Sequence, residues 1–225
     1  STGFSARFKI TGRAGANAFA EIKWIDWNKQ AKPEQYKDDA GQALPREMEL
    51  FDKNFNDSTI KINQRIVHII TFHTVPAFDF GVAGSPNEMR NKDQLEFLAW
   101  YLTGKCEADN AVSRVRACAI DGLRPLGADD RFIAIGDLNV DINEGKPGSA
   151  VLAKLYSSGR VHNWMPFKYD PAFAKPKKGF MSLITYFQNK NERDVDLTGH
   201  NSLRRMQQQL DYFFVSKNLS LSGGF

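Results

Sequence analysis

One apolar run between positions 65 and 73, RIVHIITFH, constrains the fold more than any other segment. Valine and isoleucine are enriched in strands, because their branched side chains pack well on a pleated, half-buried surface. A second run of the same character, RFIAIGD, occupies positions 131–137. Both runs end on an ionisable residue, His73 and Asp137, so these two strand ends are the first places to look for chemistry.

The remaining segments add strands and helices in irregular alternation. Strand-like patterns cover residues 6–10, 18–25, 59–62, 65–72, 131–137, 179–187 and 209–216. A helix is predicted over 91–104, with Leu95, Leu98, Ala99 and Leu102 on one face and Gly104 as its stop. A shorter helix is predicted over 148–159, with Ser149 as its N-cap. About seven strands and two or three helices favour a layered α/β sandwich over a regular doubly wound fold.

Length and charge set further limits. The 225 residues favour one domain over 1–225, and no apolar run reaches the roughly 18 to 20 residues of a membrane helix. A net charge of +4 fits a phosphorylated or polyanionic partner, although many proteins without such partners share it. The only two cysteines, Cys106 and Cys118, fit either a disulfide in an extracytoplasmic protein or two reduced thiols, and we slightly favour the disulfide.

Four polar residues are candidates for a catalytic site. His73 at a strand end has the reach to bind a phosphate oxygen or to protonate a leaving group, and it also suits a turn. If the backbone stays extended, the side chains of Asp137 and Asn139 point to one side, where they could bind a divalent cation, water or a phosphate. Alternatively, both side chains hydrogen-bond to the nearby backbone of a turn. Asp211 interrupts an apolar strand, so burial would require a partner, either a histidine, a cation or one of Arg204 and Arg205.

Taken in chain order, these motifs resemble the endonuclease/exonuclease/phosphatase superfamily, which includes deoxyribonuclease I and exonuclease III. The stretch GDLN at 136–139 matches the G-D-[FL]-N motif, LDYFFVS at 210–216 matches [ILV]-D-Y-[IF]-[FL]-x-S, and TFHTVP at 71–76 matches a strand ending in a histidine turn. SARFKI at 5–10 is a weaker match to S-R-[FY]-P-[IL], with Lys9 in place of proline. A bacterial branch with PP-x-FD and RN-x-DE is similar at Pro76, Phe78, Asp79, Arg90, Asn91 and Asp93.

The resemblance spans residues 5–219. It implies an α+β fold, in which mixed, mainly antiparallel sheets form a layered α/β/β/α sandwich. It also implies hydrolysis of phosphoesters by in-line attack of water, with Mg²⁺, Mn²⁺ or Ca²⁺ as the cofactor. It assigns the water or a metal to Asp137, a phosphate oxygen or the metal to Asn139, and the phosphate to His73. Asp211 would orient a histidine, and Arg90 and Asn91 would contact the substrate.

Three motifs of the superfamily have no counterpart: an N-terminal asparagine, a metal-binding glutamate and a C-terminal S-D-H. The resemblance therefore implies a middle and C-terminal portion of a nuclease, phosphodiesterase or phosphatase, acting on a nucleic acid or a small phosphoester. Two other interpretations stay open: a non-catalytic module that binds nucleic acid or a phosphorylated ligand, and a secreted interaction domain. The substrate and the oligomeric state are not predicted.

Overall fold

The computed structural model describes residues 11–12, 22–38, 40–62, 64–78, 85–105, 120, 122–162, 185–186, 207–208 and 210–220. The strands are β1 (Thr11–Gly12), β2 (Asn54–Ile62), β3 (Arg65–His73), β4 (Arg131–Asp137), β5 (Thr185–Tyr186), β6 (Gln207–Gln208) and β7 (Asp211–Val215). The helices are α1 (Trp24–Trp27), α2 (Asn87–Thr103) and α3 (Pro147–Ser157), with a 3-10 turn at Pro33–Gln35.

Five of the strands form one mixed sheet, in the order β1-β2-β3-β4-β7. The pair β3–β4 is parallel, whereas β1–β2, β2–β3 and β4–β7 are antiparallel. A parallel pair cannot be closed by a tight turn, so the chain crosses over between β3 and β4, and α2 lies in that connection. The expected α+β class with a mixed, mainly antiparallel sheet is confirmed.

Both long helices pack on one face of this sheet. Phe55 of β2 contacts Phe97 and Tyr101 of α2, with ring centroids 5.2 and 5.6 Å apart. Phe214 of β7 contacts Tyr156 of α3 at 5.2 Å. These large apolar side chains are among those that exclude water from a core between the helices and the sheet. A further pair of strands, β5–β6, forms a separate two-stranded ladder, and the four-layer arrangement stays a prediction.

The predictions for the central elements are confirmed. β2 and β3 form an antiparallel pair, and β4 and β7 lie where the apolar runs indicated. Gly104 follows α2 in the left-handed conformation, with φ of 68°, and its N–H donates to the Trp100 carbonyl at 2.8 Å. A residue without a Cβ adopts that conformation at low cost, which is why this helix ends there.

Two local predictions are wrong. The alternating pattern over 18–25 predicted a strand, but Trp24–Trp27 is a short helix that buries Trp24 and Trp27, one turn apart. The Lys23 N–H donates to the Asp26 carboxylate at 3.2 Å, an interaction that stabilises a first helical turn. Ser149 does not cap α3; Lys146 holds that position, and the Ser149 hydroxyl donates to the Asp141 carbonyl.

Several other predictions fall beyond the described residues. These include the strand over 6–10, most of the strand over 179–187, and the pairing of Cys106 with Cys118. Within the described part of the chain, no helix combines the length and the apolar character needed to span a membrane.

The contact between β3 and β4 depends on Gly136. A Cβ placed on this residue would lie 1.8 Å from the Phe72 carbonyl oxygen and 2.6 Å from its ring. We therefore expect Gly136→Ala to push the two strands apart and to lower the free energy of unfolding by at least about 2 kcal/mol. Urea denaturation measures this loss. Gly127→Ala is the control, because its Cβ would meet nothing closer than 3.4 Å; equal stability of the Gly136 variant and the wild type would contradict the close approach.

Candidate functional site

Three of the predicted site residues form a row across adjacent strands. His73, the last residue of β3, is paired with Asp137, the last residue of β4, and Asp137 is paired with Asp211, the first residue of β7. Paired residues on neighbouring strands direct their side chains to the same face of a sheet. His73 Nε2 lies 3.5 Å from Asp137 Oδ2, and both side chains are roughly one-third exposed. The pairing therefore places an imidazole and two carboxylates side by side at the edge of the sheet where β3 and β4 end and β7 begins, partly open to solvent.

The carboxyl group of Asp137 has an unusual electrostatic environment. Burial raises its pKa above the ordinary value, and the negative charge of Asp211 raises it further. The N–H of Asn139 and the charges of His73 and Lys53 act in the opposite direction, but they do not cancel the effect of burial. A carboxylate with a raised pKa is a stronger base than a free one, which suits it to accept a proton from water.

The strand ends at Asp137 because its side chain closes a turn. Asp137 Oδ1 accepts the backbone N–H of Asn139 at 2.8 Å. Asn139 takes the left-handed conformation, with φ of 49°, which asparagine tolerates better than most residues. The two side chains therefore do not leave an extended strand side by side, and the turn that we kept as an alternative is the observed geometry.

Asn139 connects the loops that follow β3 and β4. Its Nδ2 donates to the Thr74 carbonyl at 2.9 Å, and its own carbonyl accepts the Ala77 N–H at 3.0 Å. The Thr74 hydroxyl donates back to the Leu138 carbonyl at 2.7 Å. These bonds hold His73 and Asp137 at a fixed separation. The expected roles of Asn139 toward a phosphate oxygen or a metal stay predictions.

Asp211 differs from its expected environment. The apolar context predicted a buried acid in mid-strand, but Asp211 is the exposed first residue of β7. Leu210, just before it, accepts the Leu138 N–H at 2.7 Å, which fixes the start of β7 beside the turn after β4. Arg204 and Arg205, its alternative ion-pair partners, lie outside the described residues, and its role in orienting a histidine stays a prediction.

Arg90 and Asn91, expected at the substrate, are buried in the first turns of α2. Asn91 Nδ2 donates to the Val75 carbonyl at 2.6 Å, the Leu138 carbonyl at 2.9 Å and the Thr74 hydroxyl at 3.1 Å. Arg90 donates to the Leu50 carbonyl at 3.1 Å and the Glu49 carbonyl at 2.6 Å. Both side chains therefore hold loops beneath the site, and direct contact with a substrate stays a prediction for each.

Two neighbours complete this polar face of α2. Gln94 accepts the Val75 N–H at 2.8 Å and donates to the Leu50 carbonyl at 2.7 Å. Asp93 accepts from Trp24 Nε1 at 2.6 Å and from Asn28 Nδ2 at 2.7 Å. We call Arg90, Asn91, Asp93 and Gln94 the α2 polar cluster. Polar residues on the same helix as buried leucines are a visible sequence signal, although their partners are not readable from the sequence.

Lys53 is a site residue that the sequence did not reveal. It precedes β2, and its Nζ lies 2.9 Å from His73 Nε2. The Lys53 ammonium group has donors only, so Lys53 is the hydrogen-bond donor in this contact. Nothing in the local pattern distinguishes Lys53 from other surface lysines; only the pairing of Asn54 with His73 brings it to the site.

The donors at this edge match part of what a hard divalent cation requires. Asp137 and Asp211 offer carboxylate oxygens, the ligands that Mg²⁺ and Ca²⁺ prefer, and the charge of Asp211 raises the pKa of Asp137. Within the described ranges, no group of three or more histidine, cysteine or acidic side chains is placed to hold an ion. The two carboxylates therefore fit a cation chemically but form only part of a coordination shell.

The α2 polar cluster makes a testable contribution to stability. Asn91→Leu keeps the branched shape of the side chain but removes the bonds that Asn91 donates to the Val75 carbonyl, the Leu138 carbonyl and the Thr74 hydroxyl. We expect a loss of about 2–4 kcal/mol in the free energy of unfolding, measured by chemical denaturation. Asn143→Leu, at an exposed position, is the control and should stay within about 0.5 kcal/mol of the wild type. Equal effects of the two substitutions would contradict the role of Asn91.

The raised pKa of Asp137 predicts a stability that falls with pH. Folding favours the protonated acid, so this contribution is present in acid and is lost as the pH rises through the raised pKa. Asp137→Asn mimics the neutral form and should unfold at a higher temperature than the wild type at neutral pH, with the difference vanishing in acid. Thermal melts across pH measure this, with Asp129→Asn as the exposed control. A variant less stable than the wild type at neutral pH would contradict the assignment.

No protein-family model matches the sequence, and no curated protein matches it. Among solved structures, a beta toxin from Staphylococcus aureus with bound magnesium ions superposes with a TM-score of 0.40 and 18% identity over 76% of this chain and 44% of that one. SmcL gives 0.39 and 17% over 76% and 45%, and sphingomyelinase C from Streptomyces griseocarneus gives 0.36 and 15% over 76% and 44%. The chain thus spans less than half the length of these structures.

Proposed function

We propose that the protein hydrolyses phosphoesters at the edge where β3, β4 and β7 meet. The observation that supports this most strongly is the row of His73, Asp137 and Asp211, held in register on adjacent strands. A structural role alone gives no reason to place an imidazole and two carboxylates side by side on an open edge. The motifs that contain these three residues, TFHTVP, GDLN and LDYFFVS, occur in the same order as in the superfamily of phosphoester hydrolases that the sequence resembles.

Each residue has a distinct task in this proposal. Asp137 accepts the proton of the attacking water, a task for which its raised pKa suits it. His73, whose ring is partly exposed beside Asp137, donates to the phosphoryl group as negative charge develops there. Asn139 and Thr74 fix the two loops, so that the separation of His73 and Asp137 does not change during the reaction.

A divalent cation is part of the proposal, and Asp137 and Asp211, with Asn139 nearby, would hold it. When bound, such a cation would polarise a phosphoryl oxygen and neutralise the developing charge. The cation would also offset the repulsion between the two carboxylates, which adds to the effect of burial in raising the pKa of Asp137.

The substrate class is a phosphodiester or a phosphomonoester, either small or part of a nucleic acid or lipid. An extracytoplasmic location is compatible with this proposal. A disulfide between Cys106 and Cys118, which lie beyond the described residues, would favour it. A panel of phosphoesters that covers these classes is the appropriate assay.

Turnover of such a panel with Mg²⁺ tests the proposal directly. We expect Asp137→Asn and Asp211→Asn to lower kcat roughly a hundredfold or more, because they remove the base and one cation ligand. Asp129→Asn, at an exposed position just before the first residue of β4, at the end of that strand away from the row, should leave kcat unchanged. Thermal melts show that each variant is folded. Unchanged turnover in a folded Asp137→Asn variant, or no turnover of any phosphoester by the wild type, would overturn the proposal.

A further inference from the structure

Lys53 places a positive charge next to His73 at the open edge of the sheet. Its side chain is exposed, and its Nζ lies 2.9 Å from His73 Nε2. The ammonium carries three donors, and the contact with His73 uses one of them. The charge also acts on Asp137, on which Lys53 and His73 both have a favourable electrostatic effect. Lys53 therefore interacts electrostatically with the row formed by His73, Asp137 and Asp211.

The backbone that carries Lys53 is held by the α2 polar cluster. Leu50 accepts from Arg90 Nε at 3.1 Å and from Gln94 Nε2 at 2.7 Å. The Arg90 guanidinium also lies 3.6 Å from the Asp52 carboxylate, next to Lys53 in sequence. A long side chain gains binding strength when its backbone is fixed before the ligand arrives, because less conformational freedom is lost on binding. Arg90 therefore helps to fix the backbone segment that carries Lys53.

The charges at this edge follow a gradient across the sheet. Pairing sets Asn54 of β2 opposite His73, His73 opposite Asp137, and Asp137 opposite Asp211. The positive Lys53 stands at the β2 side, and the two carboxylates stand at the β4 and β7 side. In the absence of a cation, the two carboxylates repel the anionic oxygens of a phosphoester and the ammonium of Lys53 attracts them.

We propose that Lys53 Nζ and His73 form a binding site for an anionic phosphoryl oxygen, in which Lys53 contacts the substrate directly. The site rests on the hydrolase proposal for its substrate, but the binding of an oxyanion can be measured without turnover. Lys53 exchanges its contact with His73 for the oxyanion, which leaves the imidazole next to the same phosphoryl group. In this arrangement the phosphoryl oxygen that Lys53 binds lies toward β2, and the attacking water lies toward Asp137.

The test is the affinity for inorganic phosphate, measured by calorimetry at constant ionic strength in the presence of Mg²⁺. We expect Lys53→Met to weaken phosphate binding roughly tenfold, as loss of a charged hydrogen-bond donor does. Lys53→Arg should retain most of the affinity, because it keeps a cationic donor. Lys61→Met is the matched control, since Lys61 is an exposed lysine of the same charge near the last residue of β2, the strand that Lys53 precedes.

Several outcomes would overturn the assignment. Phosphate binding by folded Lys53→Met at wild-type strength would remove Lys53 from the site, and an equal loss in Lys61→Met would show a general effect of net charge. A loss in Lys53→Arg as large as in Lys53→Met would contradict a role of the charge. Turnover assays separate the two proposals. If the wild type binds phosphate through Lys53 but hydrolyses no ester, only the hydrolase proposal is refuted. If the wild type hydrolyses esters and Lys53→Met keeps the wild-type affinity for phosphate, only the Lys53 site is refuted.

Discussion

The parallel pairing of β3 with β4 is the constraint on which the rest of the structure depends. Parallel strands end at the same edge of a sheet, so His73 and Asp137 arrive together once these strands are in register. The antiparallel β7 begins where they end, and this brings Asp211 to the same place. Gly136 makes this possible, because it lets the backbones approach at the last step before the site.

Helix α2 turns this shared edge into a rigid site. As the crossover between the two parallel strands, it lies beneath both of the loops that follow them. Asn91 bonds to each of those loops, and Arg90 and Gln94 hold the segment before β2. Buried polar groups of this kind are costly unless paired, so their bonds specify one arrangement of the loops. The positions of the site residues therefore depend on α2, although the polar side chains of this helix hold the loops and do not reach the open face of the site.

Much of this arrangement was predictable from the sequence, because it depends on periodicity. The apolar runs placed β3, β4 and β7, and the ionisable residues in or at the ends of these runs identified His73, Asp137 and Asp211, although Asp211 was expected in mid-strand. His68 and His73 lie five residues apart on one strand, so alternation turns them to opposite faces; His68 is buried, 2.8 Å from Asp57. The partners of Arg90 and the approach of Lys53 were not predictable, since both depend on contacts between segments distant in sequence.

The central claim is that the strand ends form one cation-assisted site for a phosphoester. The most direct measurement is a crystal structure of the protein soaked in Mn²⁺, with an anomalous difference map to locate the ion. The account predicts a peak between the carboxylates, roughly 2.0 to 2.6 Å from an oxygen of Asp137 or Asp211. Mn²⁺ bound elsewhere on the protein, with no peak at this edge, would contradict it.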